Sequence, residues 1–183
     1  PLRRQRQMCI RDSKWITGEA ARLDVQRLRA RSSAIVTGIG TILADDPSLN
    51  VRLEMPGVTV RQPLRVILDP HLSTPPSARV LALPGAPLII SATGDAVARE
   101  PLERAGADVV CLPNGPDAVD LDGVMALLAE REVNEVFVES GATLSGAFLR
   151  AGLIDELVVY MAPKLMGDGG RGLFHLPGIE KMA

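Results

Sequence analysis

Residues 135–150 read EVFVESGATLSGAFLR, a stretch whose hydrophobic pattern changes half-way. Val136, Phe137 and Val138 are consecutive apolar β-formers without polar alternation, as expected of a strand buried on both faces. Glu139, Ser140 and Gly141 interrupt the run, and 141-GATLSGAFLRAG-152 then reads as a helix. The same apolar signal recurs in 33-SAIVTG-38, 64-LRVILD-69, 87-PLIISA-92, 107-ADVVCL-112 and 157-LVVYMAP-163. Helical patterns lie between these runs. In 17–32, Thr17 is a suitable N-cap and Ala21, Val25, Leu28 and Ser32 form an inward stripe; further helices fit 96–106, with Pro101 as an irregularity, and 120–132, capped by Asp120. Strand–helix alternation of this kind predicts an α/β fold with a largely parallel central sheet flanked by helices. Ligands of such sheets sit beyond the carboxyl ends of the strands, which selects the junctions after Val36, Leu68, Ile90 and Val138.

Composition limits the alternatives. The 183 residues suit one domain, and 46% hydrophobic against 23% charged residues excludes a disordered chain. No apolar run reaches the ~20 residues of a membrane span, and a net charge of −2 offers no bulk attraction for nucleic acid or anionic lipid. Cys9 and Cys111 form no cluster, and His71 and His175 have no partners at ligand spacing, so no metal site is expected. A reducing, cytoplasmic setting is the default reading.

Three places stand out chemically. At 138-VESGATLSGAF-148, unpaired N–H groups at the start of a helix can face an anion, with Gly141, Ala142 and Gly146 allowing close approach; a tight turn without ligand reads equally well. Glu139 ends a buried strand, where an acid costs free energy unless it has a partner. In 41-TILADDPSLN-50, the adjacent Asp45 and Asp46 read as a short helix from Thr41 that ends before Pro47, with the Asp46 side chain stabilising the turn. Arg29 and Arg52 are candidate forks for phosphate or carboxylate. Because Arg29 lies among Arg22, Arg27 and Arg31, its position alone reads as a solvated helix face. The glycine-rich 166-MGDGGRGLF-174, with Arg171, is a second candidate phosphate loop or a hairpin.

Together, 13-SKWITGEAARLDVQRLRARS-32, 41-TILADDPSLNVR-52, 65-RVILD-69, 138-VESGATLSGAFL-149 and 155-DELVVYMAPKLMGDGGRGLF-174 resemble the reductase domain of the bacterial bifunctional riboflavin-biosynthesis protein. The resemblance implies a dihydrofolate-reductase-like fold. It also implies an enzyme, 5-amino-6-(5-phosphoribosylamino)uracil reductase, in which NADPH delivers hydride to C1 of the ring-opened ribose. Carried over by position, Trp15, Thr41, Asp45, Pro70 and the turn Gly141, Ala142, Thr143, Leu144, Ser145, Gly146 and Ala147 would contact the cofactor. Ser13, Arg29, Leu49, Arg52 and Glu139 would face the phosphorylated substrate, with Glu139 holding or protonating the sugar nitrogen or hydroxyls as the catalytic residue. A homodimer is also implied.

The departures from the family pattern are specific. Residues 1–12, PLRRQRQMCIRD, match no element and are set apart from a reductase domain at 13–183. The family's first strand and its lysine have no counterpart, position 70 is proline rather than a hydroxyl residue, and the final strands are missing. The expectation is a domain incomplete at both ends, with little or no activity for residues 1–183 alone. Two other readings stand beside the enzyme: a non-catalytic nucleotide-binding or dimerisation module of the same fold, and a related reductase acting on the diaminopyrimidinone intermediate.

Overall fold

A computed structural model describes residues 17–53, 57, 60–163 and 172–178. The element order is α1 (Glu19–Arg31), β1 (Ala34–Gly38), α2 (Ile39–Asp45), β2 (Leu64–Leu68), β3 (Leu88–Ser91), α3 (Ala96–Arg104), β4 (Asp108–Cys111), α4 (Leu121–Glu130), β5 (Val136–Val138) and α5 (Ala142–Arg150). The chain divides into two compact units, one of residues 26–139 and one of residues 1–25 with 140–183.

The larger unit contains the five strands found among the described residues, in the order β4-β3-β2-β1-β5. All pairings are parallel, in a register that sets Val36 beside both Val66 and Val138. Parallel strands need cover on both faces, which is why Val, Ile and Leu dominate β1 to β3. Ile35, Ile67 and Ile89 are fully buried and form a cluster with Ile42, Leu49, Val80 and Leu102.

Helix α3 accommodates its proline. Asp95 caps the first turn by accepting from the N–H groups of Val97 and Ala98, and Pro101 forfeits only its bond to the carbonyl of Val97. Val97 is 82% exposed, at the solvent-facing start of the helix. Helix α1 begins at Glu19, two residues after the expected cap, with its first bond from the Arg22 N–H to the Gly18 carbonyl (3.2 Å). Asp120 holds the cap position of α4, but its side chain makes no capping bond there.

One charged strand residue had no warning in the apolar pattern. Arg65 on β2 is 5% exposed, and its guanidinium donates to the carbonyls of Val80 (2.9 Å), Leu83 (3.2 Å), Pro84 (3.0 Å) and Gly85. Burial pushes its pKa below the usual arginine value, while the carbonyls supply the oxygens that water would otherwise offer. The side chain thereby ties the 80–85 segment to the sheet.

In the smaller unit, 157-LVVYMAP-163 is not a strand: it has no ladder partner among the described residues, and Leu157 and Met161 are 55% and 89% exposed. A β-rich sequence becomes a strand only against a neighbour whose N–H and C=O groups it can meet. Tyr160 in this run donates to Asp24 Oδ2 at 2.6 Å. Desolvation, then the hydrogen bond and the charge of Asp24, push its phenol up to about 12.

The folded-state value lies above the ~10 of an unfolded tyrosine, so the stabilisation is complete below pH ~10 and is lost as pH rises towards 12. Tyr160 is the chain's single tyrosine, so an alkaline absorbance titration reads it alone. The expected midpoint is near 12, and Asp24→Asn should bring it down.

Candidate functional site

The site begins with an acid at the end of a buried strand. Glu139 follows β5, where its N–H donates to the Val36 carbonyl (2.9 Å) and its own carbonyl accepts from Thr37 Oγ1 (2.8 Å). Thr37 is fully buried. The carboxylate is met by Arg29 in a two-point fork, Nε to Oε2 at 2.9 Å and Nη2 to Oε1 at 2.7 Å. The third arm of the guanidinium, Nη1, donates to the Asn50 carbonyl at 2.9 Å. Arg29 is only 5% exposed, so the solvated-face reading of this residue is wrong. It is the single buried residue of α1, because Glu139 neutralises it and each of its three guanidinium nitrogens donates to an oxygen.

This arrangement separates the two candidate arginines. Every arm of Arg29 is committed within the protein, so it holds the acid in place. Arg52 is exposed, and its guanidinium has no hydrogen bond or ion pair among the described residues. Leu49 is 1% exposed and belongs to the core cluster, so its side chain is unavailable to a ligand. Its backbone lies in the left-handed region (φ 49°), a conformation that Leu rarely adopts and that here accompanies the turn carrying Asn50 towards Arg29.

Helix α2 shows what the paired aspartates do. Thr41 and Asp45 are four residues apart, and hence on one helix face, both half-buried. Asp46 closes the helix in a left-handed conformation (φ 40°) and turns away. Its Oδ1 accepts from the Arg79 N–H (2.8 Å) and its Oδ2 from Arg79 Nε (3.1 Å). The expected role of Asp46 as a turn stabiliser therefore extends to a distant loop.

At the carboxyl end of β2, Asp69 is fully buried, and its Oδ2 accepts from both the N–H and Oγ1 of Thr74 at 2.7 Å. Its Oδ1 has no hydrogen-bond partner among the described residues. The neighbouring Pro70 offers less than its position promises, since it lacks an N–H and its carbonyl already accepts from Ala92 N–H (3.0 Å). Asp69 escaped the sequence reading because one polar residue at the end of an apolar run looks like a strand terminus. The buried pairing with Thr74 was its only other signal.

The glycine turn lies in the smaller unit. Gly141 caps α5 with no side-chain hydrogen bond, and nothing stands within 4 Å of where its β-carbon would be. The N–H groups of Ala142, Thr143 and Leu144 have no intrahelical acceptors, whereas Ser145 N–H already donates to Gly141 O (3.0 Å). The cofactor expectation for residues 141–147 therefore narrows to the first turn. Gly146 has a different duty: a β-carbon there would overlap the main chain of His175, whose N–H donates to Ala142 O at 2.9 Å. Its small size serves packing of the 172–178 segment. Ser145 Oγ pairs with Ser140 Oγ at 3.0 Å, and Ala147 is half-buried in α5.

Ser13, Trp15 and the 166–171 part of the glycine-rich loop lie outside the described residues. Among the described residues, no group of three or more His, Cys, Asp or Glu could hold a metal ion. None of the described helices is long and apolar enough to cross a membrane. A cleft of about 640 Å³ opens between Ser33, Leu64, Ala86 and Val133, at the amino ends of the strands and opposite the edge where such sheets take ligands.

A family model described as the RibD C-terminal domain matches residues 7–183. The chain belongs to that family. The match begins inside the segment set apart at residues 1–12. The riboflavin biosynthesis protein RibD of Escherichia coli is 41% identical over 185 residues, covering 96% of this chain and 49% of that protein. A 5-amino-6-(5-phosphoribosylamino)uracil reductase of Buchnera aphidicola is 35% identical and covers 88% of this chain and 81% of its own length. The solved RibD of Acinetobacter baumannii, in its second form, superposes with a TM-score of 0.75 at 37% identity, over 90% of this chain and 44% of that one. The chain thus spans about half the length of the RibD relatives it matches. The dihydrofolate-reductase-like α/β fold expected from the family resemblance is borne out.

Two outcomes test this geometry. Arg29→Met should destabilise the protein by about 3 kcal/mol, at the lower end of the cost of breaking a buried pair because the Glu139 side chain is 23% exposed. Arg29→Lys should recover only part of it, since an ammonium cannot reproduce the planar fork. Gly146→Ala should cost about 1–3 kcal/mol by overpacking, while Gly141→Ala costs little; denaturant midpoints compare the two.

Proposed function

We propose that this chain is the reductase domain that converts 5-amino-6-(5-phosphoribosylamino)uracil to its ribityl product at the expense of NADPH. The observation that carries the reading is the Arg29–Glu139 fork at the carboxyl end of β5, in a chain of the RibD C-terminal family.

Taken separately, residues in each of the two units fit a phosphorylated nicotinamide cofactor. Open space at Gly141 and the free N–H groups of Ala142, Thr143 and Leu144 suit a pyrophosphate at the positive end of α5. Thr41 and Asp45, on one face of α2, offer a hydroxyl and a carboxylate for ribose or amide groups. When bound, the cofactor supplies a hydride.

The chain's own residues then position the sugar. Glu139 has both oxygens engaged by Arg29, which leaves each oxygen one further lone pair for a substrate O–H or N–H. That is an acceptor's geometry, and it favours orienting the opened ribose over donating a proton to it. Arg52 meets the substrate phosphate as a two-point donor. Homodimer formation belongs to the same proposal.

The decisive assay follows NADPH oxidation by the full-length gene product with the ribosylamino-pyrimidine; no turnover would refute the reading. Glu139→Gln keeps the side chain's size but loses a charged acceptor, and kcat/KM should fall about 10–100-fold, as expected for losing a hydrogen bond to a charged group.

A further inference from the structure

The segment that carries Arg52 is neither helix nor strand, yet its main chain is held at three consecutive residues by side chains from elsewhere. Asn50 O accepts from Arg29 Nη1 at 2.9 Å. Val51 N–H donates to Gln62 Oε1 at 2.9 Å, and Val51 O accepts from Gln62 Nε2 at 3.1 Å. Arg52 N–H donates to Gln26 Oε1 at 2.8 Å. The Gln62 carboxamide thus stands in for a neighbouring strand, presenting a donor and an acceptor to both polar groups of one residue, as the backbone of an antiparallel partner does.

We infer that Gln62 and Gln26 are positioning residues for substrate binding: they fix the backbone at Val51 and at the N–H of Arg52 so that its guanidinium stands ready for the substrate phosphate. The inference rests on the reading above that Arg52 meets that phosphate. An arginine on an untethered irregular segment loses backbone as well as side-chain freedom when a ligand arrives, and two carboxamides that order the backbone beforehand remove that part of the cost. The inference assigns the glutamines no contact with substrate or cofactor. Gln62 is exposed and lines the 640 Å³ cleft from outside the core, so its replacement leaves no buried cavity. No sequence motif marks either residue; their partners are backbone groups.

Steady-state kinetics on the full-length gene product test this with Gln62→Met, Arg52→Ala and the double variant. Gln62→Met removes both bonds at similar volume and should raise KM for the phosphorylated substrate about 5–10-fold, with kcat and the KM for NADPH within about twofold. In the Arg52→Ala background the same change should add less than about twofold, because the residue it positions is gone. Gln26→Met should behave like Gln62→Met, and Gln26→Glu, which keeps the acceptor for the Arg52 N–H, should restore most of the affinity. Should Gln62→Met fail to fold, Gln62→Glu, which retains the acceptor for the Val51 N–H, carries the test with an intermediate KM. Effects that add in full to Arg52→Ala, or a kcat that falls as much as KM rises, would overturn the inference. If Arg52→Ala raises KM and the glutamine variants do not, the positioning role alone fails. If Arg52→Ala leaves KM unchanged, the assignment of Arg52 falls, and the positioning role with it.

Discussion

A carboxylate at the end of a buried strand must be neutralised where it stands, and the site is built around that requirement. Arg29 supplies the charge, and its fork draws the last turn of α1, the end of β5 and the 49–50 segment onto one guanidinium. Neither partner tolerates the loss of the other, because each would then carry an uncompensated charge in a largely dry setting. Glu139 is further pinned through its own backbone to Val36 and Thr37 of β1. The acid therefore belongs to the sheet as firmly as any of its hydrophobic residues, with its side chain held at the edge where ligands of parallel sheets arrive.

How much of this was legible in the sequence depended on whether the cause was local. The strands at Ile35, Ile67, Ile89 and Val109 announce themselves because parallel sheets need apolar residues on both faces. The 157–161 run carries the same residue types and is no strand, since propensity supplies a willing chain and it has no ladder partner among the described residues. Arg29 was unreadable for a related reason: its own helix is full of arginines, and the acid that buries it lies 110 residues further on. Gln62 and Gln26 left no trace, because a side-chain amide clamped on a backbone amide needs no particular residue opposite. Glu139 was legible as an acid in need of a partner, although the partner's identity was not.

The glycines of α5 carry a second lesson. Gly141 and Gly146 read alike in sequence, as small residues that let an anion come close. In the fold the first leaves open space at the helix start, while the second admits the main chain of His175. One absent side chain exposes backbone donors and the other makes room for a neighbouring strand of chain, so the two positions respond to different pressures despite being five residues apart.

The sheet order has a consequence in time. β1 lies between β2 and β5, so one of its edges is paired by the next strand in the chain and the other by the last of the described strands. During synthesis, β1 to β4 can assemble while that second edge still shows unpaired N–H and C=O groups, a surface that invites wrong partners. The arrival of β5 closes the edge and delivers Glu139 to Arg29 in the same event, after a long stretch of chain has been ordered. Closing the exposed backbone and joining Glu139 to Arg29 are therefore one step, and β1 to β5 must all have left the ribosome before either can occur.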